Sequence, residues 1–246
     1  MKQSIILDTS AGISGDMAAA ALIDLSAGRE AVLSALAPFE SDGIHAQIRT
    51  ITRQGTDCVN LSVSSASHMH RHEHHSLSQV KETICRADLT AGARRCALRV
   101  YDLLARAEAK AHDTSVEAVM FHEVGSLRAI MNVLAFAVSY DILGVKDVIV
   151  PSFTEGVGTV RCEHGELAIP GPAVTNLLRG YSGELRIRQD IHAELITPTG
   201  AACALAVCSG HAPAKNRRLI RTGYGAGLRD TGLSGILRAE LTESEI

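Results

Sequence analysis

Five of the eleven histidines fall within eight residues, in the run Ser67-His68-Met69-His70-Arg71-His72-Glu73-His74-His75. Neutral imidazole is the commonest side-chain ligand for nickel, zinc and copper. A hydrophobic core gives no reason to collect imidazoles on one polar stretch, so His68, His70, His72, His74 and His75 read as metal ligands. The competing readings are a solvated linker or a purification tag, although a tag is usually terminal and uninterrupted. A second candidate is Asp8-Thr-Ser-Ala-Gly-Ile-Ser-Gly-Asp16, a glycine-rich loop between a strand and a helix. Backbone N–H groups at a helix start favour an anion. Ser10, Gly12 and Gly15 would let the chain approach a phosphate, while Asp8 and Asp16 could hold a hard cation beside it and Ser14 could organise the pair. The structural alternative is that Ser14 or Asp16 merely caps the helix.

Neighbouring chemistries are excluded by single residues. A Walker A loop needs a lysine that is absent here, and a nucleophile elbow needs glycine where Asp16 stands. In Phe121-His122-Glu123-Val124-Gly125-Ser126, Ser126 occupies the place of the second histidine of a zincin, leaving His122 and Glu123 as a metal-site candidate or a hydrogen-bonded pair. His164, in a Glu-His-Gly turn, is equally ambiguous. Thr197-Pro-Thr-Gly200 is a helix start, with Thr197 as cap and Pro198 at the first position; Thr197, Thr199 and Gly200 would also suit a phosphate. Gly223-Tyr-Gly-Ala-Gly227 lacks the third glycine of a dinucleotide fingerprint and reads as a loop beside a strand.

The elements that must position these residues follow from periodicity. Ser4–Leu7 reads as a buried strand, and residues 17–25 as an alanine-rich helix, with a short helix over 30–36. Residues 44–53 and 58–63 alternate as a hairpin. Helices are expected over 76–87, 93–112, 127–143, 173–178 and from 197 to 207; the third is apolar almost all round. Strands are expected over 145–150, 156–161, 166–169, 214–224 and 236–241. The fold class is α/β, a layered domain with a mixed sheet flanked by helices and a histidine-rich loop inserted after an N-terminal hairpin. That gives residues 1–66 as strand, loop, helix and hairpin, 67–75 as the loop, and 76–246 as the remainder of the same domain.

With 24 Lys+Arg, 27 Asp+Glu and 3% aromatic residues, the chain shows neither the charge nor the stacking surface of a nucleic-acid binder. Six cysteines without a CxxC pair argue against a zinc ribbon or a disulfide scaffold. No signal peptide or membrane span is expected, which points to the cytoplasm.

Taken in order, six segments resemble the LarC nickel-insertion family: Asp8-x-Ser-x-Gly-Ile-Ser-Gly-Asp-Met17, the histidine-rich loop, Phe121-His-Glu-Val-Gly125, His164-Gly-x-Leu-x-Ile-Pro-x-Pro-Ala173, Glu194-Leu-Ile-Thr-Pro-Thr-Gly-Ala-Ala202 and Gly223-Tyr-Gly-Ala-Gly-x-Arg-Asp230. The resemblance implies a lyase-type chelatase that inserts Ni(II) into a pyridinium bisthiocarboxylate mononucleotide, in maturation of the nickel-pincer cofactor of lactate racemase. It further implies dependence on CTP with Mg(II) or Mn(II). The expected division of labour makes the histidine run a collecting arm, with the chemistry at His122 and Glu123 and at Asp8, Ser14 and Asp16. The family pattern has two aspartates where this sequence has Arg128 and Asn132. Its C-terminal CTP-associated domain is expected to be absent, or supplied as a separate chain, since the sequence stops at Glu245-Ile246. Homo-oligomerisation stays open. The alternatives are a non-catalytic nickel-binding or storage protein and a phosphate-ligand enzyme in which the histidines are incidental.

Overall fold

A computed structural model describes residues 1–65, 75–229 and 231–245. His68, His70, His72 and His74 therefore lie outside the described residues. The strands are β1 (Lys2–Asp8), β2 (Ile44–Arg53), β3 (Thr56–Ser65), β4 (His75–Ser76), β5 (Met120–Phe121), β6 (Asp147–Ile149), β7 (Ser152–Glu155), β8 (Thr159–Cys162), β9 (Gly165–Ala168), β10 (Glu184–Ile187), β11 (Arg217–Ala226) and β12 (Ile236–Ser244). The helices are α1 (Gly15–Ser26), α2 (Arg29–Leu36), α3 (Leu77–Arg86), α4 (Ala91–Ala111), α5 (Leu127–Leu143), α6 (Pro172–Leu178) and α7 (Pro198–Val207).

Six strands form a mixed sheet in the order β2-β3-β11-β12-β1-β6, with β3–β11 and β1–β6 parallel and the other pairs antiparallel. This is the layered α/β domain expected, and its sheet draws on both ends of the chain: Lys2 pairs with Ser244. Helix α1 lies between the sheet and α5, and eight of its residues from Met17 to Leu25 are buried. Its run of four alanines makes this possible, because small side chains let a helix sit close to both neighbours. Helix α5 is buried from Ala129 to Ser139, and α4 packs against α5, α6 and α7. The core is accordingly aliphatic, built around Ile5, Leu7, Leu22, Ile23, Leu61, Ile130 and Leu134, with Phe136 and Phe153 among its few aromatics.

The Gly223–Gly227 segment departs from expectation. Gly223 and Gly225 are inside β11, not in a loop beside it. A Cβ on Gly225 would lie 2.3 Å from both the Met17 carbonyl oxygen and the Ala21 amide nitrogen, and one on Gly223 would lie 2.4 Å from the Ala21 carbonyl oxygen. Here glycine has the role it takes in strands where another backbone comes close. Strands β7 and β10, which pair in parallel, were also not anticipated; residues 156–158 link β7 to β8 instead of extending a strand.

Helix starts follow local chemistry. Ser76 caps α3 in a capping box with Gln79, Thr90 caps α4, Ser126 caps α5 and Thr197 caps α7. Among the described residues no helix is long and apolar enough to cross a membrane.

Candidate metal centre

Three histidines from separate segments meet on the wall of one cavity. His112 is the residue that ends α4. His122 follows β5 and enters a 3-10 turn over Glu123–Gly125. His164 sits at the tip of the β8–β9 hairpin, whose two-residue turn is closed by the pairing of Cys162 with Gly165. The potential ligand atoms of the three imidazoles all lie within 4.8 Å of one another. The ring centroids of His122 and His164 are 4.3 Å apart, and those of His112 and His164 are 4.8 Å apart. Metal–imidazole bonds of about 2.0–2.1 Å set tetrahedral ligand atoms about 3.3 Å apart.

Two carboxylates support the cluster. Glu108, one helical turn before His112, approaches its Nε2 at 3.6 Å. Burial pushes the Glu108 carboxyl up to about 7, and the nearby Glu123 charge pushes it in the same direction. Glu123 accepts a hydrogen bond from the Glu163 amide at 2.9 Å, which ties the hairpin tip bearing His164 to the turn bearing His122. Cys162 adds a soft atom, its Sγ lying 3.9 Å from His164 Nδ1.

The cavity holding this cluster has a volume of about 920 Å³. That is at the upper end of the roughly 300–1,000 Å³ typical of small-molecule sites. Away from the cluster its wall includes Ser14, Gly15, Asp16, Asn132, Thr197 and Thr199, with Arg128 and Arg229 also contributing. The two phosphate candidates read separately from sequence are thus neighbours. Ile13 N–H donates to the Leu195 carbonyl at 2.8 Å, and Thr197 N–H donates to the Ile13 carbonyl at 3.0 Å, so the starts of α1 and α7 lie side by side.

Other sequence candidates are placed elsewhere. Asp8 faces Arg238 across the β1–β12 pair and forms an ion pair with it at 2.9 Å. Side chains alternate along a strand, so Asp8 shares its face with Arg238, opposite the face on which Leu7 and Ala239 are buried. Asp16 accepts from Ser14 Oγ with one oxygen and from the Leu228 amide, at 3.0 Å, with the other. The structure therefore does not bring Asp8 and Asp16 together as ligands for a hard cation. Ser10 donates its amide to Asp8 Oδ1. Gly12 (φ +87°) and Gly200 do serve close approach, but to protein: Cβ atoms there would lie 2.4 Å from the Leu195 oxygen and 2.5 Å from the Ile13 oxygen. The described residues on either side of residues 66–74 adjoin the site. Ser64 and Ser65 line the cavity, and His75 pairs with Phe121, the residue before His122.

The family profile for nickel insertion proteins matches residues 5–246. The chain belongs to that nickel insertion family. Among its relatives, pyridinium-3,5-bisthiocarboxylic acid mononucleotide nickel insertion proteins are 33% identical in Alkaliphilus metalliredigens, over 99% of this chain and 61% of that protein, and 34% identical in Desulfitobacterium hafniense DCB-2, over 96% and 58%. One from Staphylococcus epidermidis is 32% identical over 100% of this chain and 60% of its own length. The chain thus spans about 60% of the length of these nickel insertion proteins. No solved structure matches. Sequence reasoning named His122 and His164 but passed over His112 as a mere helix terminus. The available signal was Glu108 and His112 at i and i+4 in the last turn of an otherwise apolar helix face.

Proposed function

We propose that this chain inserts Ni(II) into a pyridinium bisthiocarboxylate mononucleotide during maturation of the nickel-pincer cofactor of lactate racemase, a cytoplasmic step. The observation that carries this reading is the convergence of His112, His122 and His164 on a cavity large enough for a mononucleotide. Three neutral imidazoles hold Ni(II) while leaving coordination positions open, as catalytic metal sites do. Sulfur from the two thiocarboxylates can enter those positions and displace imidazole. Forming the nickel–carbon bond replaces the ring C–H, so one proton must leave. Glu108 and Glu123, the carboxylates beside the histidines, would take it. The histidine run, from His68 to His75, collects nickel for this site.

The dependence on CTP with Mg(II) or Mn(II) is a separate matter. Asp8 and Asp16 do not form an oxygen-ligand site, so the reading is confined to nickel and the mononucleotide. The test is to incubate the purified chain with nickel and the precursor nucleotide, with and without CTP, divalent metal and an added C-terminal domain from a longer relative, and to follow cofactor formation by absorbance and mass. Product in any of these mixtures, lost in His122→Ala, supports insertion. Nickel binding without product in all of them identifies a storage protein instead.

A further inference from the structure

The cavity is bounded by helix starts: α1 at Ser14–Asp16, α5 at Ser126–Ala129, α6 at Gly171–Ala173 and α7 at Thr197–Thr199. Of these, α1 and α7 are held in contact by two glycines. A Cβ on Gly15 would lie 2.8 Å from Thr199 Cγ2, and one on Gly200 would lie 2.7 Å from Ser14 Cα. The first backbone bond of α1 runs from Ala18 N–H to the Ser14 carbonyl at 2.9 Å, leaving the Gly15, Asp16 and Met17 amides without a backbone acceptor among the described residues. Ser14 does not cap them, because its hydroxyl donates to Asp16 Oδ1. In α7, Pro198 has no N–H and Thr197 Oγ1 accepts from the Gly200 amide at 3.1 Å, which leaves the Thr199 amide. Two positive helix ends and four amides therefore meet at one place.

One side chain there points independently to a ligand. Asn132 and Thr199 are each only 8% exposed and both line the cavity. Among the described residues, Asn132 Oδ1 is enclosed and has no hydrogen-bond partner. Asn132 stands directly beside this helix start, since a Cβ on Gly15 would lie 3.5 Å from Asn132 Cβ. Buried polar groups in folded proteins are paired, so an orphaned amide oxygen against a cavity calls for a partner from outside the chain.

We propose that the joined starts of α1 and α7, with Thr199 and Asn132, bind the phosphomonoester of the mononucleotide, so that the ligand lies with its phosphate here and its ring toward His112, His122 and His164. The assignment rests on the mononucleotide reading above. Four amides and a hydroxyl match the three terminal oxygens of a phosphate better than the two of a carboxylate. A hydroxyl of the attached ribose supplies the donor that Asn132 Oδ1 lacks, since the dianion of a phosphomonoester carries no hydrogen of its own. Arg128 on the cavity wall favours a dianion by charge, whereas Arg229 there is ion-paired with Glu194. Asp16 opposes it, but both its oxygens are already engaged.

The test uses nicotinate mononucleotide and nicotinate riboside as probes in calorimetric titrations of the full chain. The mononucleotide should bind at least about 10-fold more tightly than the riboside, a difference of about 1.4 kcal/mol. Thr199→Val should remove most of that difference and leave riboside binding unchanged. Asn132→Leu, which removes the acceptor for the ribose hydroxyl, should weaken the mononucleotide. Nickel binding by both variants should match the parent, which also reports that they fold. Equal affinity for mononucleotide and riboside, or no mononucleotide binding by a chain that binds nickel, overturns the assignment. Loss of the nickel reading is recognised separately: phosphate discrimination persists while His122→Ala leaves nickel binding unaltered.

Discussion

Glu108 separates a defined metal centre from three imidazoles that happen to be close. It lies against His112 Nε2 and is almost enclosed, with 12% of its side chain exposed. A carboxylate bonded to a ligating histidine orients the ring and raises its basicity, and loss of such a partner typically lowers metal affinity about 10–100-fold. Glu108→Gln should therefore weaken nickel binding by about 10-fold, whereas His122→Ala, which removes a ligand outright, should weaken it by more than about 100-fold. Competition against a chromogenic chelator measures both; equal effects would mean that Glu108 is itself a ligand. Glu155 is a buried acid of another kind. It is fully buried, its Oε1 accepts from the Gly156, Leu195 and Ile196 amides, and its Oε2 has no partner. Burial raises its carboxyl to about 7, against the lowering effect of those three amides. Because the folded-state value exceeds that of the unfolded chain, the folded protein binds the extra proton between about pH 4.5 and 7. The resulting stability is complete below that window and is lost as pH rises through it, by up to about 3 kcal/mol. Glu155→Gln should flatten this part of the stability profile, as read from urea midpoints at pH 5 and 7.5. An unchanged slope would show that Glu155 is ionised in both states.

At the scale of elements, the site depends on how closely α1 can lie on β11. Gly225→Ala would drive a methyl group into two backbone atoms of α1 that cannot move independently. Overpacking of this kind costs typically 1–3 kcal/mol, occasionally more. The variant should lose at least about 3 kcal/mol, and Gly55→Ala, with open space around its Cβ site, should lose far less despite its positive φ; denaturant unfolding of the two compares them. The same glycines explain what was and was not legible in sequence. Helices α4 and α5 were readable because apolar spacing in the first and an apolar run ended by Gly144 in the second act within one segment. In β11, glycine reports contact with a helix some two hundred residues away, which looks locally like a loop. Strand β10 was missed because its polar–apolar alternation, Glu-Leu-Arg-Ile, lasts only four residues, and all four are exposed. His112 was missed for a related reason: its partners come from a turn and a hairpin tip, and spacing along α4 carries no record of them. The joining of the two helix starts was equally invisible, although each was recognised on its own.

For the whole molecule, the question is why a histidine run is inserted between β3 and β4. The chain reaches Ser65 at the end of β3, on the cavity wall, and His75 is held by its pairing with Phe121, next to His122. Both attachments therefore adjoin the same three-histidine cluster, so nickel gathered between them would need to travel only a short way to reach it. This separates capacity from affinity. The run should add weak sites, whereas the triad, fixed by α4, β5 and the β8–β9 hairpin, should provide one tighter site. Replacing His68, His70, His72 and His74 by serine, with His75 kept in its strand, should lower nickel bound per chain toward one and leave the tighter site unchanged. Polar surface substitutions are usually within about 0.5 kcal/mol, which for a chain of this size limits the change in Tm to about 2 °C. Calorimetric titration of this variant and of His122→Ala separates the two components. Undiminished stoichiometry in the serine variant would remove the run from metal handling, and loss of its tighter site would show that the triad cannot hold nickel without the run.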